Sequence, residues 1–285
     1  MRLRSLLFVP GDRPERFTKA AACGADAIIM DLEDSVVPAS KPAARDAVAV
    51  ALGQERAVPI FVRINPLDGD EAEKDLAAVA ALAPDGIVLP KSIGPESVRM
   101  LDQRLSLAGD RSASILPIAT ETPAALFRLG DYGGVTPRLA GLTWGAEDLP
   151  AAIGAETARE ADGGYTAPYQ LARSLTLFGA HAAGVAAIET VFPDIRDEAG
   201  LARYAARGAR DGFTGMMTIH PAQVAVINAA FQPSADSVDA ARRIVAAFAD
   251  RPDAGALQVD GRMVDAPHLK QARALLARAG QGKMA

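Results

Sequence analysis

Short apolar runs recur along the chain, each followed by an alanine-rich stretch whose apolar positions repeat at helical spacing. The runs predict strands over 5–9, 27–32, 60–64, 86–89, 114–119, 140–144, 186–191 and 215–219. Between them the pattern predicts helices over 14–23, 42–52, 71–82, 95–107 and 169–183. In the first of these Asp12 is placed to cap, Pro14 suits the opening turn and Gly24 can end the helix. Parallel strands joined by helical crossovers make either a doubly wound sheet or a (β/α)8 barrel, and eight strands over about 225 residues favour the barrel. After Phe231 the break Gln232-Pro233-Ser234 opens a helix through Phe248, followed by a Pro/Gly/Asp-rich stretch and a last helix from about Pro267. The expected organisation is an α/β TIM-barrel catalytic domain over 1–232 and a C-terminal helical extension and lid over 233–285.

Composition narrows the function. With 285 residues, 49% hydrophobic and 23% charged, the chain can bury a full core in one large barrel. A net charge of −5 without a basic run provides no field for nucleic acid or an anionic membrane, so neither is an expected partner. Cys23 is the single cysteine, which excludes an intramolecular disulfide and a cysteine-based zinc site and suits a reducing, cytoplasmic setting. The first residues, Met1 to Val9, imitate a signal peptide, but Pro10, Gly11 and Asp12 interrupt too short an apolar run, and a strand is the better reading. No glycine-rich phosphate loop lies between a strand and a helix start, which disfavours nucleotide hydrolysis and hydride transfer.

In a barrel of this kind the chemistry sits at the carboxyl ends of the strands. There the chain reads Asp31-Leu32-Glu33-Asp34, Arg63-Ile64-Asn65, Pro90-Lys91, Thr120-Glu121-Thr122, Gly145-Ala146-Glu147-Asp148, Pro193-Asp194 and His220-Pro221. The strand period of two puts Asp31 with Glu33 on one face, and Phe61 with Arg63 and Asn65 on one face. Glu121 and Asp148 end adjacent strands about 4.8 Å apart, so both carboxylates can reach one cation. With no histidine or cysteine nearby they describe a hard-ion site of the Mg²⁺ type, against the plainer reading of loop charges. Asp34 reads as a cap or a solvated loop residue, His220 as a structural hydrogen-bonding residue, and Lys91 as a surface residue or a partner for Asp31 or Glu33.

These motifs, together with Leu7-Phe8-Val9-Pro10-Gly11-Asp12-Arg13-Pro14-Glu15-Arg16-Phe17 and Ile219-His220-Pro221-Ala222-Gln223, run in order along essentially the whole chain. The ordered set resembles the HpcH/HpaI aldolase and citrate lyase β-subunit family, with its stand-alone CitE-like proteins and malyl-CoA or citramalyl-CoA lyases. The resemblance implies a Mg²⁺-dependent carbon–carbon lyase that cleaves or forms a short 3-hydroxyacyl thioester, giving a 2-oxo acid and an acyl-CoA. It also implies Glu121 and Asp148 as metal ligands, with Glu121 beside substrate, Arg63 as the catalytic and substrate-contacting arginine, and Asp31, Glu33 and Lys91 as a supporting shell. The segment from Asp260 to Pro267 is similar to the family's lid, in which Asp265 is a catalytic acid or base delivered from a neighbouring subunit of a homo-oligomer, a trimer or hexamer. Lys41 and Arg45 match basic positions and are candidates for a CoA phosphate, or else are solvated charges at a helix start. Relatives carry a lysine where this chain reads Gly212-Phe213-Thr214-Gly215-Met216-Met217, which removes one candidate for holding CoA. A subunit acting on a carrier-bound citryl thioester and a catalytically silent scaffold are the alternatives; retention of Glu121, Asp148, Arg63 and Asp265 argues against silence.

Overall fold

In the computed structural model, which describes residues 2–280, the apolar runs form β1 (Ser5–Pro10), β2 (Ala27–Asp31), β3 (Ile60–Arg63), β4 (Gly86–Leu89), β5 (Ser114–Pro117), β6 (Gly141–Thr143), β7 (Ala186–Glu189) and β8 (Gly215–Thr218). Their ladders are all parallel, in the order β5-β4-β3-β2-β1-β8-β7-β6. Parallel bridges Ile115–Leu139 and Ile118–Thr143 join the two ends of that order, and Ala119 N donates to Thr143 O at 2.9 Å. The sheet thus returns on itself as a near-closed, TIM-like α/β barrel. Leu6, Ile29, Phe61, Val88, Leu116 and Ile188, drawn from six strands, meet in one buried cluster, as the filled interior of such a barrel requires. Gly86 is one condition of that filling: a Cβ there would lie 2.2 Å from the Phe61 ring.

The helices of the barrel are α1 (Phe17–Ala21), α2 (Lys41–Leu52), α3 (Asp70–Val79), α4 (Pro95–Leu107), α5 (Pro123–Leu126), α6 (Asp148–Ile153), α7 (Ala167–Ala183), α8 (Glu198–Asp211) and α9 (Pro221–Ala230). Two of the predicted helices differ in extent, and α5, α6, α8 and α9 lie outside the predicted ranges. The predicted helix over 14–23 is a 3₁₀ turn, Pro14–Arg16, before the five residues of α1. The predicted helix over 71–82 ends as α3 at Val79, followed by a 3₁₀ turn that stops at Ala83 in a left-handed conformation.

The chain divides into two compact units, the first ending at Asn228 and the second beginning at Ala229, within α9 rather than after residue 232. The second unit contains α10 (Ala235–Asp250), the antiparallel hairpin β9 (Ala256–Val259) and β10 (Arg262–Asp265), and α11 (Ala266–Arg278). Ser234 caps α10 by accepting from Ser237 N. The hairpin turns at Asp260 and Gly261, both at positive φ, as an Asp-Gly two-residue turn demands. Ala241 and Ala272 are buried where α10 packs on α11. Among the described residues no helix is long and apolar enough to cross a membrane.

Candidate active site

The register of the sheet places Asp31 opposite Arg63. Arg63 donates from Nε to Asp31 Oδ1 at 2.7 Å and from Nη2 to Oδ2 at 2.6 Å, while Nη1 lies 3.0 Å from Glu33 Oε2. Its guanidinium also covers the Phe8 ring at 4.8 Å. Asp31 accepts further bonds from the Glu33 and Ser35 backbone N–H groups. Burial pushes Asp31 upward, but the Arg63 fork and the other bonds outweigh it and hold the carboxyl below its ordinary range. Burial alone would lower Arg63; its bonds to Asp31 and the charge of Glu33 raise it instead, so the cation is permanent. A guanidinium carries five N–H donors. Two of them bond Asp31, Nη1 lies within ion-pair distance of Glu33, and the guanidinium lines the cavity.

Glu121 follows β5, almost wholly buried, with Oε2 accepting from Lys91 N. Lys91 adopts a left-handed φ of 50°, a strained conformation for a residue with a side chain. Its ammonium lies 2.9 Å from Glu33 Oε1 and 3.2 Å from Asp148 Oδ1, with exposed Asp34 further out at 3.8 Å. Burial, then the nearby charges of Asp148 and Glu33, push Glu121 up to about 8. Glu33 is raised as well, because burial exceeds what Arg63 and Lys91 offset. A cavity of about 340 Å³ is lined by Arg63, Asp31, Glu121 and Asp148 on its charged side and by Ile118 and Met217 on its apolar side.

The donor set fits Mg²⁺. Glu121 and Asp148 face one cavity together with Asp31, Asp34 and Glu147, Glu121 is strongly disfavoured as a lone anion, and neither imidazole nor thiolate lines the space. Among the described residues no group of three Asp, Glu, His or Cys gathers as a ligand set; a Mg²⁺ ion on two carboxylates would take water or substrate oxygens as its other ligands. Gly145 frames this arrangement, since a Cβ there would stand 2.8 Å from Glu121 Cγ.

The basic candidates for CoA occupy other settings. Lys41 donates to Leu32 O (2.8 Å), Glu33 O (3.0 Å) and Asn65 Oδ1 (2.6 Å), which engages all three N–H groups of its ammonium in tying α2 to the ends of β2 and β3. Arg45 is buried, donating from Nε to Asp75 at 2.7 Å and from Nη2 to Glu71, and so fastens α2 to α3. In both, carboxylates or carbonyls of the fold engage the charge. Asp265 belongs to the second unit, half-exposed at the N-terminus of α11, where it and His268 form a capping box. Its bond to His268 Nδ1 holds it below the ordinary carboxylate range. His220 Nδ1 accepts from Ala222 N at 3.2 Å and opens α9. Sequence reasoning missed Phe8, Gly145 and Thr190 at the cavity wall. Of these only Gly145, between a strand and an acidic pair, carried a readable signal.

Fold and site together define the class, an α/β-barrel enzyme with its charged groups at the carboxyl ends of the strands. The HpcH/HpaI aldolase/citrate lyase model matches residues 4–221, and the chain belongs to that family, whose members include lyases. It is 41% identical over 276 residues to the citrate lyase subunit beta-like protein of Mycobacterium tuberculosis, covering 96% of this chain and 95% of that one. It is 32% identical over 291 residues to the mitochondrial citramalyl-CoA lyase of Homo sapiens, covering 95% and 83%. Among solved structures, CitE of M. tuberculosis in complex with magnesium, acetoacetate and coenzyme A superimposes with a TM-score of 0.83 at 37% identity, over 98% of both chains.

Proposed function

We propose that the protein is a Mg²⁺-dependent carbon–carbon lyase that cleaves, or forms, a short 3-hydroxyacyl thioester, with a 2-oxo acid and an acyl-CoA on the other side of the reaction. One observation carries this reading: a guanidinium fixed by two bonds to Asp31 shares a small cavity with a pair of carboxylates suited to a hard cation. Glu121 and Asp148 would hold Mg²⁺, which supplies Lewis acidity and a template for the oxygens of the 2-oxo-acid half.

The other residues divide the remaining work. Cleavage takes the proton from the carbinol hydroxyl, whose oxygen becomes the carbonyl of the 2-oxo acid, and breaks the bond between the carbinol carbon and the carbon next to the thioester, sending the electron pair toward the thioester carbonyl; a proton then returns to the enolate carbon, so none is gained or lost overall. Arg63, held by Asp31 and Glu33, is placed to donate to that oxygen as its charge grows. Because the fork is already ordered, no reorganisation is needed when the charge develops. Lys91 keeps Glu33 in place with its side chain and Glu121 with its backbone N–H. Asp265 would exchange the proton at the thioester carbon, donating or accepting according to direction, from a neighbouring copy in a homo-oligomer. The magnesium- and coenzyme A-bound relative supports this reading.

The test is mass-spectrometric detection of cleavage across malyl-, citramalyl- and citryl-CoA, with Mg²⁺ present and then chelated, for the native protein and Glu121→Ala. Mg²⁺-dependent release of a 2-oxo acid and a shorter acyl-CoA, lost in the variant, is the expected result. Turnover of no CoA ester by the folded, metal-bound protein would rule out CoA as the carrier.

A further inference from the structure

We propose that Glu189 is a positioning residue for the cation-binding turn after β6, acting through the indole N–H of Trp144; this rests on the reading of Glu121 and Asp148 as the cation site. Glu189 ends β7 with no solvent exposure. A carboxylate in such a place is costly unless donors surround it, and four do. Trp144 Nε1 (2.5 Å), Tyr204 OH (2.8 Å) and Thr190 N (3.1 Å) donate to Oε1, and Arg173 Nε (2.7 Å) donates to Oε2. Arg173 continues to Asp211 at 2.9 Å and lies over the Phe213 ring.

Stability alone does not ask for this cluster, since well-packed apolar residues can replace a buried ion pair at little cost. Directional bonds to one carboxylate do something apolar packing cannot, which is to fix where each donor stands. The donor that matters for the site is Trp144. It directly precedes Gly145-Ala146-Glu147-Asp148, so the position of its backbone sets the path of the turn that delivers Asp148. Gly145 N donates to Thr120 Oγ1 at 3.0 Å, beside Glu121, and Gly145 has no room for a Cβ against that side chain. A displacement at Trp144 therefore reaches Glu121 through Gly145, and Asp148 through the three residues of the turn between them.

The loop before α7 braces the same turn from its other side. Tyr165 meets the Trp144 ring edge-on at 5.0 Å, and Arg159 lies 3.8 Å from Glu147, the neighbour of Asp148. Trp144 is also the chain's single tryptophan, so its emission can report on the turn.

The experiment measures Mn²⁺ binding by electron paramagnetic resonance on the full chain, comparing the native protein with Trp144→Phe and Tyr204→Phe. Trp144→Phe keeps an aromatic ring but removes the indole donor, and it should raise the Mn²⁺ dissociation constant about tenfold, at the low end of what loss of an outer supporting contact costs. Tyr204→Phe removes a different donor from the same Oε1 without touching the turn, and it should bind Mn²⁺ as the native protein does. In the native protein, titration with Mg²⁺ should change tryptophan emission saturably. Unchanged affinity in Trp144→Phe would overturn the proposal, and so would an equal loss in both variants, which would make the cluster merely structural. Should Trp144→Phe fail to fold, Glu189→Gln serves in its place with the native tryptophan as reporter: weakened binding is expected, and native affinity would overturn the role. Absence of Mn²⁺ binding by the native protein would remove the cation site itself, a failure distinguishable from the other two.

Discussion

Arg63→Lys keeps the positive charge and removes the fork, so it separates charge from geometry at the proposed electrophilic group. Arg63 makes three contacts with two buried carboxylates, at 2.7, 2.6 and 3.0 Å. One ammonium at that position can serve Asp31 or Glu33 at good distance, not both. The variant thus loses one or two charge-assisted bonds at about 1.5–3 kcal/mol each, and a net destabilisation of about 3 kcal/mol follows. At about 2–4 °C per kcal/mol for a barrel of this size, the melting temperature should fall by about 6–12 °C. The catalytic consequence is larger. The guanidinium donors proposed to meet the substrate oxygen disappear with the fork, and loss of such a donor costs on the order of 100-fold in kcat. Calorimetry and the acyl-CoA cleavage assay, run with saturating Mg²⁺, measure the two effects separately. A lower melting temperature with kcat essentially intact would show Arg63 to be an ion-pair residue alone. An unchanged melting temperature would refute the claim that Asp31 and Glu33 depend on it.

Three further predictions follow from neighbouring groups. Gly145→Ala puts a methyl group 2.8 Å from Glu121 Cγ; overpacking of this kind costs about 1–3 kcal/mol, and Mg²⁺ affinity measured calorimetrically should fall while far-ultraviolet circular dichroism stays native. Lys41→Met strips the donors from Asn65 Oδ1 and two carbonyls and should cost about 2–3 kcal/mol in urea unfolding. It should also leave unchanged the KM preference for a CoA ester over a truncated thioester; a selective rise in the CoA-ester KM would return Lys41 to phosphate recognition. Because Asp31 titrates below its unfolded value in the native state, its contribution is complete above about pH 4 and disappears as pH falls through the lower, folded value. Stability measured by urea unfolding should therefore climb with pH across that acid window in the native protein, and the slope should be smaller in Asp31→Asn. Equal slopes would mean that the Asp31 pair does not govern the acid limb.

The barrel was legible because each strand is a short apolar run with a polar stop, and the parallel order needs only right-handed crossovers to follow. The pairing of Asp31, Glu33 and Arg63 was half legible. A period of two placed Asp31 with Glu33, but that Arg63 stands opposite Asp31 required the β2–β3 register. Other elements went unread, among them α5, α6, α8 and α9. Asp197 caps α8 by accepting from Gly200 N, and Asp260-Gly261 is a hairpin turn. The partners of Lys41 and Arg45 were legible only in part. Lys41 reaches Glu33 O and Leu32 O, 8 and 9 residues away, but its bond to Asn65 and those of Arg45 to Glu71 and Asp75 span 24 to 30 residues.

The same contrast explains how the site is partitioned. Asp31 and Glu33 spend their charge on Arg63, and Glu33 also on Lys91. Glu121 accepts only a backbone N–H of Lys91 and faces Asp148 and Glu33 as like charges. Of the buried carboxylates at this mouth it is the one whose negative charge the fold leaves least compensated. A protein selected only for stability would have removed that group or paired it, since an uncompensated buried carboxylate is among the costlier features a core can hold. Its retention beside Asp148, in a cavity that Arg63 also lines, makes sense when a cation arrives from outside to complete the charge. Glu121→Gln then gives a specific outcome: the metal-free protein should become more stable than the native one, while Mg²⁺ should raise the melting temperature of the native protein and not of the variant. Equal stabilisation of both by Mg²⁺ would place the cation elsewhere.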